Sequence, residues 1–150
     1  MRLRSPKHDW DVNCRMTIID FFERNKDYGT LFMRFGLALI FLWFGIDKFI
    51  HVQNWIGWVP EWMASFIPVS LFTFMYFQGA IEMLVGALLL VGYKTRFAAL
   101  LAMLILLGVV LSTIGTGQAE VMLRDIGLLG ASISLLFAGS KCCSVDGRRA

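Results

Sequence analysis

The chain has 150 residues, 57% of them hydrophobic and 17% charged, with a formal net charge of +3 and a mean hydropathy of +0.66. A soluble domain of this size is about 45–50% apolar and about 25% charged, so the composition excludes a disordered or collagen-like chain and most soluble enzymes, and the apolar surplus has to face lipid. The basic residues sit at the chain ends and in one short loop rather than along a stripe, which argues against a nucleic-acid partner.

Residues 1–30 mix Arg2, Arg4, Lys7, Arg15, Arg24 and Lys26 with Asp9, Asp11, Asp20, Glu23 and Asp27. They leave no uncharged apolar core of the kind a secretory signal requires. This stretch reads as a cytoplasmic segment, with Ile18, Ile19, Phe21 and Phe22 marking a short amphipathic helix on the membrane surface.

Four later segments reach the roughly 20 residues that a helix needs to cross a hydrocarbon core of about 30 Å. They run roughly from Leu31 to Ile50, Leu71 to Val91, Phe97 to Ile114 and Val121 to Phe137. Each is apolar all round, as a lipid-contacting helix should be, and none shows the two-residue alternation of a barrel strand. The expected fold is therefore an all-α membrane protein, a four-transmembrane-helix bundle over residues 31–138, followed by a cytoplasmic tail at 139–150. Eleven of the fourteen basic residues fall before the first span, between the second and third, or after the fourth. The positive-inside rule then places both termini and the Lys94–Arg96 loop in the cytoplasm, with the cell membrane as the site.

Between the first two spans, residues 51–68 carry Trp55, Trp58, Trp62 and Phe66, interrupted by Pro60 and Pro68. Indole rings favour the headgroup boundary. The segment is either an interfacial anchor or a lid over a pocket between the helices.

Six ionisable residues lie within the apolar segments: Arg34, Asp47, Lys48, Glu82, Arg124 and Asp125. Each charge at a helix centre costs about 2.5–3.5 kcal/mol on insertion scales. Glu82 is the deepest, roughly 18–21 Å from either end of its span at 1.5 Å per residue. It must be protonated, paired or exposed to a water-filled cavity. Gln78, one turn earlier, shares its face. Arg34, Phe41 and Lys48 repeat every seven residues and share a face of the first helix. Arg34 is the expected partner of Glu82, the alternative being that it snorkels to phosphates. Arg34, Gln78 and Glu82 form the candidate ligand site, suited to a quinone or to proton transfer. A purely structural reading, a neutral Glu82 bonded across helices, stands beside it.

Asp47, Lys48, His51, Arg124 and Asp125 form an expected outer charge cluster, with Asp47 facing Arg124, Lys48 facing Asp125, and His51 extending Asp47 by one turn. Simple anchoring at the interface is the alternative. Arg124, Gly127, Ala131, Ser134 and Ala138 recur every three or four residues, a stripe of small residues suited to close helix approach.

Several chemistries lack their residues. There is no C-x-x-C, C-x-x-C-H, H-E-x-x-H or P-loop motif, and with only His8 and His51 no metal or haem site is expected. Cys14, Cys142 and Cys143 are too few for a disulfide scaffold, and reduced cytoplasmic thiols are the expectation. A thiol relay or lipid attachment at Cys142 and Cys143 remains open.

The run Arg34–x–Gly36…Phe44–Gly45–x–x–Lys48, then Gly79–x–x–Glu82–x–x–x–Gly86…Gly92–x–x–Thr95–Arg96, resembles the DoxX family of small four-helix membrane proteins. Arg124–Asp125–x–Gly127–Leu128 is similar to the last helix of many DoxX-like members. The resemblance implies recurring polar positions at Arg34, Lys48, Glu82 and Arg96. It also implies a membrane subunit of a redox system, quinone- or thiol-linked, as in thiosulfate:quinone oxidoreductase. Such a subunit has no covalently bound cofactor, takes quinone as its candidate ligand, contacts membrane lipid, and works with a protein partner or as a homo-oligomer. The competing readings are a non-enzymatic assembly or maturation partner and a small solute or ion transporter.

Overall fold

The computed structural model describes residues 26–114, 117 and 119–139. The expected amphipathic segment at 18–22, the three cysteines and most of the tail lie outside them. The described chain forms six helices: α1 Lys26–Ile50, α2 Val52–Ile56, α3 Glu61–Ala64, α4 Leu71–Val91, α5 Thr95–Thr113 and α6 Ala119–Ala138. α1, α4, α5 and α6 are each long and apolar enough to cross a membrane. The chain is a multi-pass membrane protein whose exposed Leu39, Trp43, Leu84, Leu100, Leu123 and Phe137 meet lipid.

Local chemistry sets the ends. The Ser70 hydroxyl accepts a hydrogen bond from the Thr73 backbone N–H at 3.2 Å, capping α4. α4 stops at Gly92, whose left-handed φ of 70° suits glycine and whose N–H donates to Leu88 O at 2.9 Å. A three-residue turn ending in Lys94, also left-handed at φ 46°, leads into α5. This early restart carries α5 back to Thr95, two residues before the start expected from the apolar run.

α1 packs chiefly on α4 and α5 chiefly on α6, and lesser α4–α5 and α1–α6 contacts close the ring. The apolar core joins Leu37, Ala38 and Phe41 to Val85, Leu89, Ala98, Ala99, Ala102, Leu106 and Leu135. It occupies the half of the bundle nearer the Gly92–Lys94 turn. The other half holds the cavities and the charged side chains of Lys48, Glu82, Arg124 and Asp125, while Arg34 is buried in the core half.

Glycines set how α1 meets α4. A Cβ at Gly45 would stand 2.5 Å from Met83 Cγ and 2.9 Å from the Gly79 carbonyl oxygen. One at Gly86 would stand 2.8 Å from Leu42 Cγ and 3.0 Å from Leu42 N. Only hydrogen fits at either place, so the two backbones touch where no hydrophobic effect drives helices together in lipid. The contact also sets the register: Gly45 lies level with the stretch between Gly79 and Met83, and Leu42 level with Gly86.

Candidate functional site

That register brings Lys48, near the end of α1, within reach of Glu82, at the middle of α4. Lys48 Nζ donates to both carboxylate oxygens, at 2.6 and 2.8 Å, and both side chains are buried. Gln78 Nε2 adds a longer hydrogen bond to Glu82 Oε1 at 3.4 Å. A buried carboxylate in a membrane helix has to be compensated, and here the compensation is an ammonium held in a two-point contact.

The expected pairing of Glu82 with Arg34 is therefore corrected. Arg34 does share a buried face with Phe41 and Lys48. The glycine register, however, places it level with the end of α4 near Gly92, ten residues beyond Glu82 and about 15 Å away along the helix axis. The seven-residue repeat identifies the face but leaves open which of its two cations meets the acid.

The expected outer quartet is corrected as well. Arg124 does not pair with Asp47. Its Nε and Nη2 donate to the neighbouring Asp125 carboxylate at 2.9 and 3.3 Å, and its guanidinium lies 4.8 Å from the Phe44 ring centre. Asp125 is buried and within electrostatic reach of Lys48 and Glu82, but it makes no hydrogen bond to Lys48. Asp47 turns instead toward the start of α2, where His51 Nδ1 lies 2.8 Å from Oδ1 and Trp55 Nε1 donates to Oδ2 at 2.8 Å. Residues 47 and 48 are adjacent, so their side chains point roughly 100° apart on a helix and cannot both face α6.

Trp55, read from the sequence only as part of an interfacial anchor or a lid, also joins the charge cluster. Its N–H holds Asp47, its ring lies 4.0 Å from Lys48 Nζ, and it meets Phe44 edge-on at 5.6 Å. A desolvated ammonium over an indole face gains about 2 kcal/mol. A signal existed: Arg34, Phe41, Lys48 and Trp55 continue one seven-residue repeat across the break at His51.

Around these groups lie two cavities. The larger, about 310 Å³, is walled by Phe74, Gln78 and Ile81 of α4 and by Leu104, Ile105, Gly108 and Val109 of α5. Trp55, Trp58, Val59 and Met63 roof it, and Lys48 and Arg124 supply its charge. Trp62 and Phe66, at 54% and 80% exposure, face outward instead. The smaller cavity, about 30 Å³, is large enough to hold a water molecule. It lies behind the two cations, where Glu82 and Asp125 both reach its wall. Each cation thus faces the large cavity with its own carboxylate behind it. Such a chamber can bind an apolar ring and offer hydrogen-bond donors to its oxygens.

The DoxX family matches the chain over residues 29–115, more than half its length. The chain belongs to the DoxX family. No curated protein and no solved structure matches it. The DoxX match covers α1 through α5 and so includes the Lys48–Glu82 pair and most of the large cavity, whereas Arg124 and Asp125 on α6 lie beyond it. Among the described residues no group of three or more His, Cys, Asp or Glu side chains is placed to hold a metal ion.

Proposed function

We propose that this DoxX protein is the membrane subunit of a redox system and that the large cavity receives the ring of a quinone. The observation carrying this reading is the pairing of an apolar, aromatic-roofed chamber with Lys48, Gln78 and Arg124 on its wall. Quinone reduction places negative charge on two ring oxygens. Donors already aimed at those positions stabilise that charge strongly in a dry site. Glu82 keeps the Lys48 ammonium charged and oriented, and Asp125 does the same for Arg124.

A partner protein supplies the electrons by oxidising two thiols to a disulfide, which releases two electrons and two protons. The quinone takes up two of each and leaves as quinol. The protein resides in the cell membrane with the Lys94 turn and both termini in the cytoplasm, following the basic residues. The Trp55 end of the cavity then lies toward the outer face.

Purified protein in lipid nanodiscs, titrated with a short-chain benzoquinone, tests the proposal through quenching of the roof tryptophans. Saturable quenching is expected, and Lys48→Gln should weaken it by about tenfold or more, since a hydrogen bond from a charged donor is worth about 1.5–3 kcal/mol. A parent protein that shows no saturable quenching overturns the quinone reading.

A further inference from the structure

α4 and α5 are joined by only three residues, yet they part at the end away from that turn. Phe74 and Ser112, Gln78 and Gly108, and Ile81 and Ile105 are pairs equidistant along the chain from Tyr93. In two straight antiparallel helices these pairs would face each other. Instead all six line the large cavity. The seam between α4 and α5 is thus open along this stretch, while the roof closes the end and Lys48 of α1 with Val121 and Arg124 of α6 lines the back.

The open seam reaches the lipid-facing surface. Phe77 and Leu104 line the cavity and are 66% and 51% exposed. Gly108 also lines the cavity and is exposed, with no heavy atom within 4 Å of the place a Cβ would occupy. A side chain there would stand in the gap.

The size of the chamber decides what this gap is for. At about 310 Å³ it sits at the lower end of the range for small-molecule pockets. It has room for a substituted ring and none for a hydrocarbon chain of tens of carbons. A chain leaving the cavity past Gly108 passes directly into the acyl region and never meets water.

We infer that the α4–α5 seam at Gly108 is a lateral portal, through which a lipid-soluble quinone inserts its ring from the bilayer while its hydrocarbon tail stays between the helices and in the lipid. This rests on the quinone reading and narrows the substrate to tailed, membrane-partitioned quinones. Gly108 is then the residue that sets access and tail tolerance.

The test uses the full chain in nanodiscs, with a decyl-tailed benzoquinone and its tailless counterpart as probes. Stopped-flow quenching of the roof tryptophans reads association, and titration reads affinity. Gly108→Leu and Gly108→Trp should slow association of both probes and weaken the tailed one by at least about tenfold, with little change in affinity for the tailless ring. Gly127→Leu, at an exposed α6 position with nothing near its Cβ, should behave as the parent and shows that a bulky residue on the bundle surface does not itself disturb binding. Unchanged affinity for the tailed probe in both Gly108 variants, or equal weakening of both probes, overturns the portal while leaving the cavity reading in place. Absence of quenching in the parent overturns both.

Discussion

Lys48 Nζ lies 2.6 Å from one carboxylate oxygen of Glu82 and 2.8 Å from the other, with neither side chain open to solvent. The pair joins the end of α1 to the middle of α4 next to the backbone contact at Gly45 and Gly79. Two charges of opposite sign in one enclosed contact carry no net charge between them, and each is the reason the other can be there.

Removing one partner should therefore cost more than removing both. Glu82→Leu leaves a buried ammonium without its carboxylate and is expected to destabilise the protein by about 3–5 kcal/mol. The double variant Lys48→Met/Glu82→Leu should recover most of that loss while quinone affinity stays low. Unfolding titrations of the reconstituted protein measure the first, and tryptophan quenching measures the second. A double variant as unstable as the single one would show that the pair is not an energetic unit.

Arg34 offers the contrasting case. It is fully buried but about 15 Å along the axis from Glu82, so Arg34→Gln should lower stability and leave quinone affinity within about twofold of the parent. Lys48→Gln should lower affinity about tenfold. Equal losses of affinity in the two variants would return Arg34 to the site.

The glycine contact predicts opposite outcomes for the same substitution on one helix. Gly45→Ala drives a methyl group to within 2.5 Å of Met83 Cγ and should cost about 1–3 kcal/mol by overpacking. Gly36→Ala meets nothing within 4 Å and should be neutral or stabilising by up to about 1 kcal/mol, from helix propensity. Thermal unfolding in detergent distinguishes them. A Gly45→Ala protein as stable as Gly36→Ala would mean that the helices do not touch there.

Trp55 has two separable roles. Trp55→Phe keeps an aromatic face over Lys48 and removes the N–H that donates to Asp47. It should cost about 1 kcal/mol and speed release of a bound quinone by loosening the roof. Trp55→Ala loses both contacts and should cost roughly twice as much or more. Dissociation rates and unfolding midpoints of the two variants check the order. If Trp55→Phe matches the parent in both, the Asp47 contact does not hold the roof.

Four apolar segments of membrane-crossing length, a mid-span acid that had to be compensated, and the face shared by Arg34, Phe41 and Lys48 were all legible along the chain. Each depends on length, composition or helical period, quantities that belong to one segment at a time. Where two helices touch is a different kind of quantity. The partner of Glu82 depended on register, and register came from the backbone contact at Gly45, Gly79 and Gly86, which the positions of the glycines along the chain do not specify. The same is true of Asp47 and Lys48: their neighbourhood at the end of the helix could be read, but the face each presents is known only once α1 is rotated against α4. The divergence of α4 from α5 beyond a three-residue turn, which makes the cavity, is likewise a property of packing. In lipid every apolar face is equally at home, so the apolar pattern that defines a membrane helix does not say which side meets another helix, and only close contacts and charge pairs make that choice.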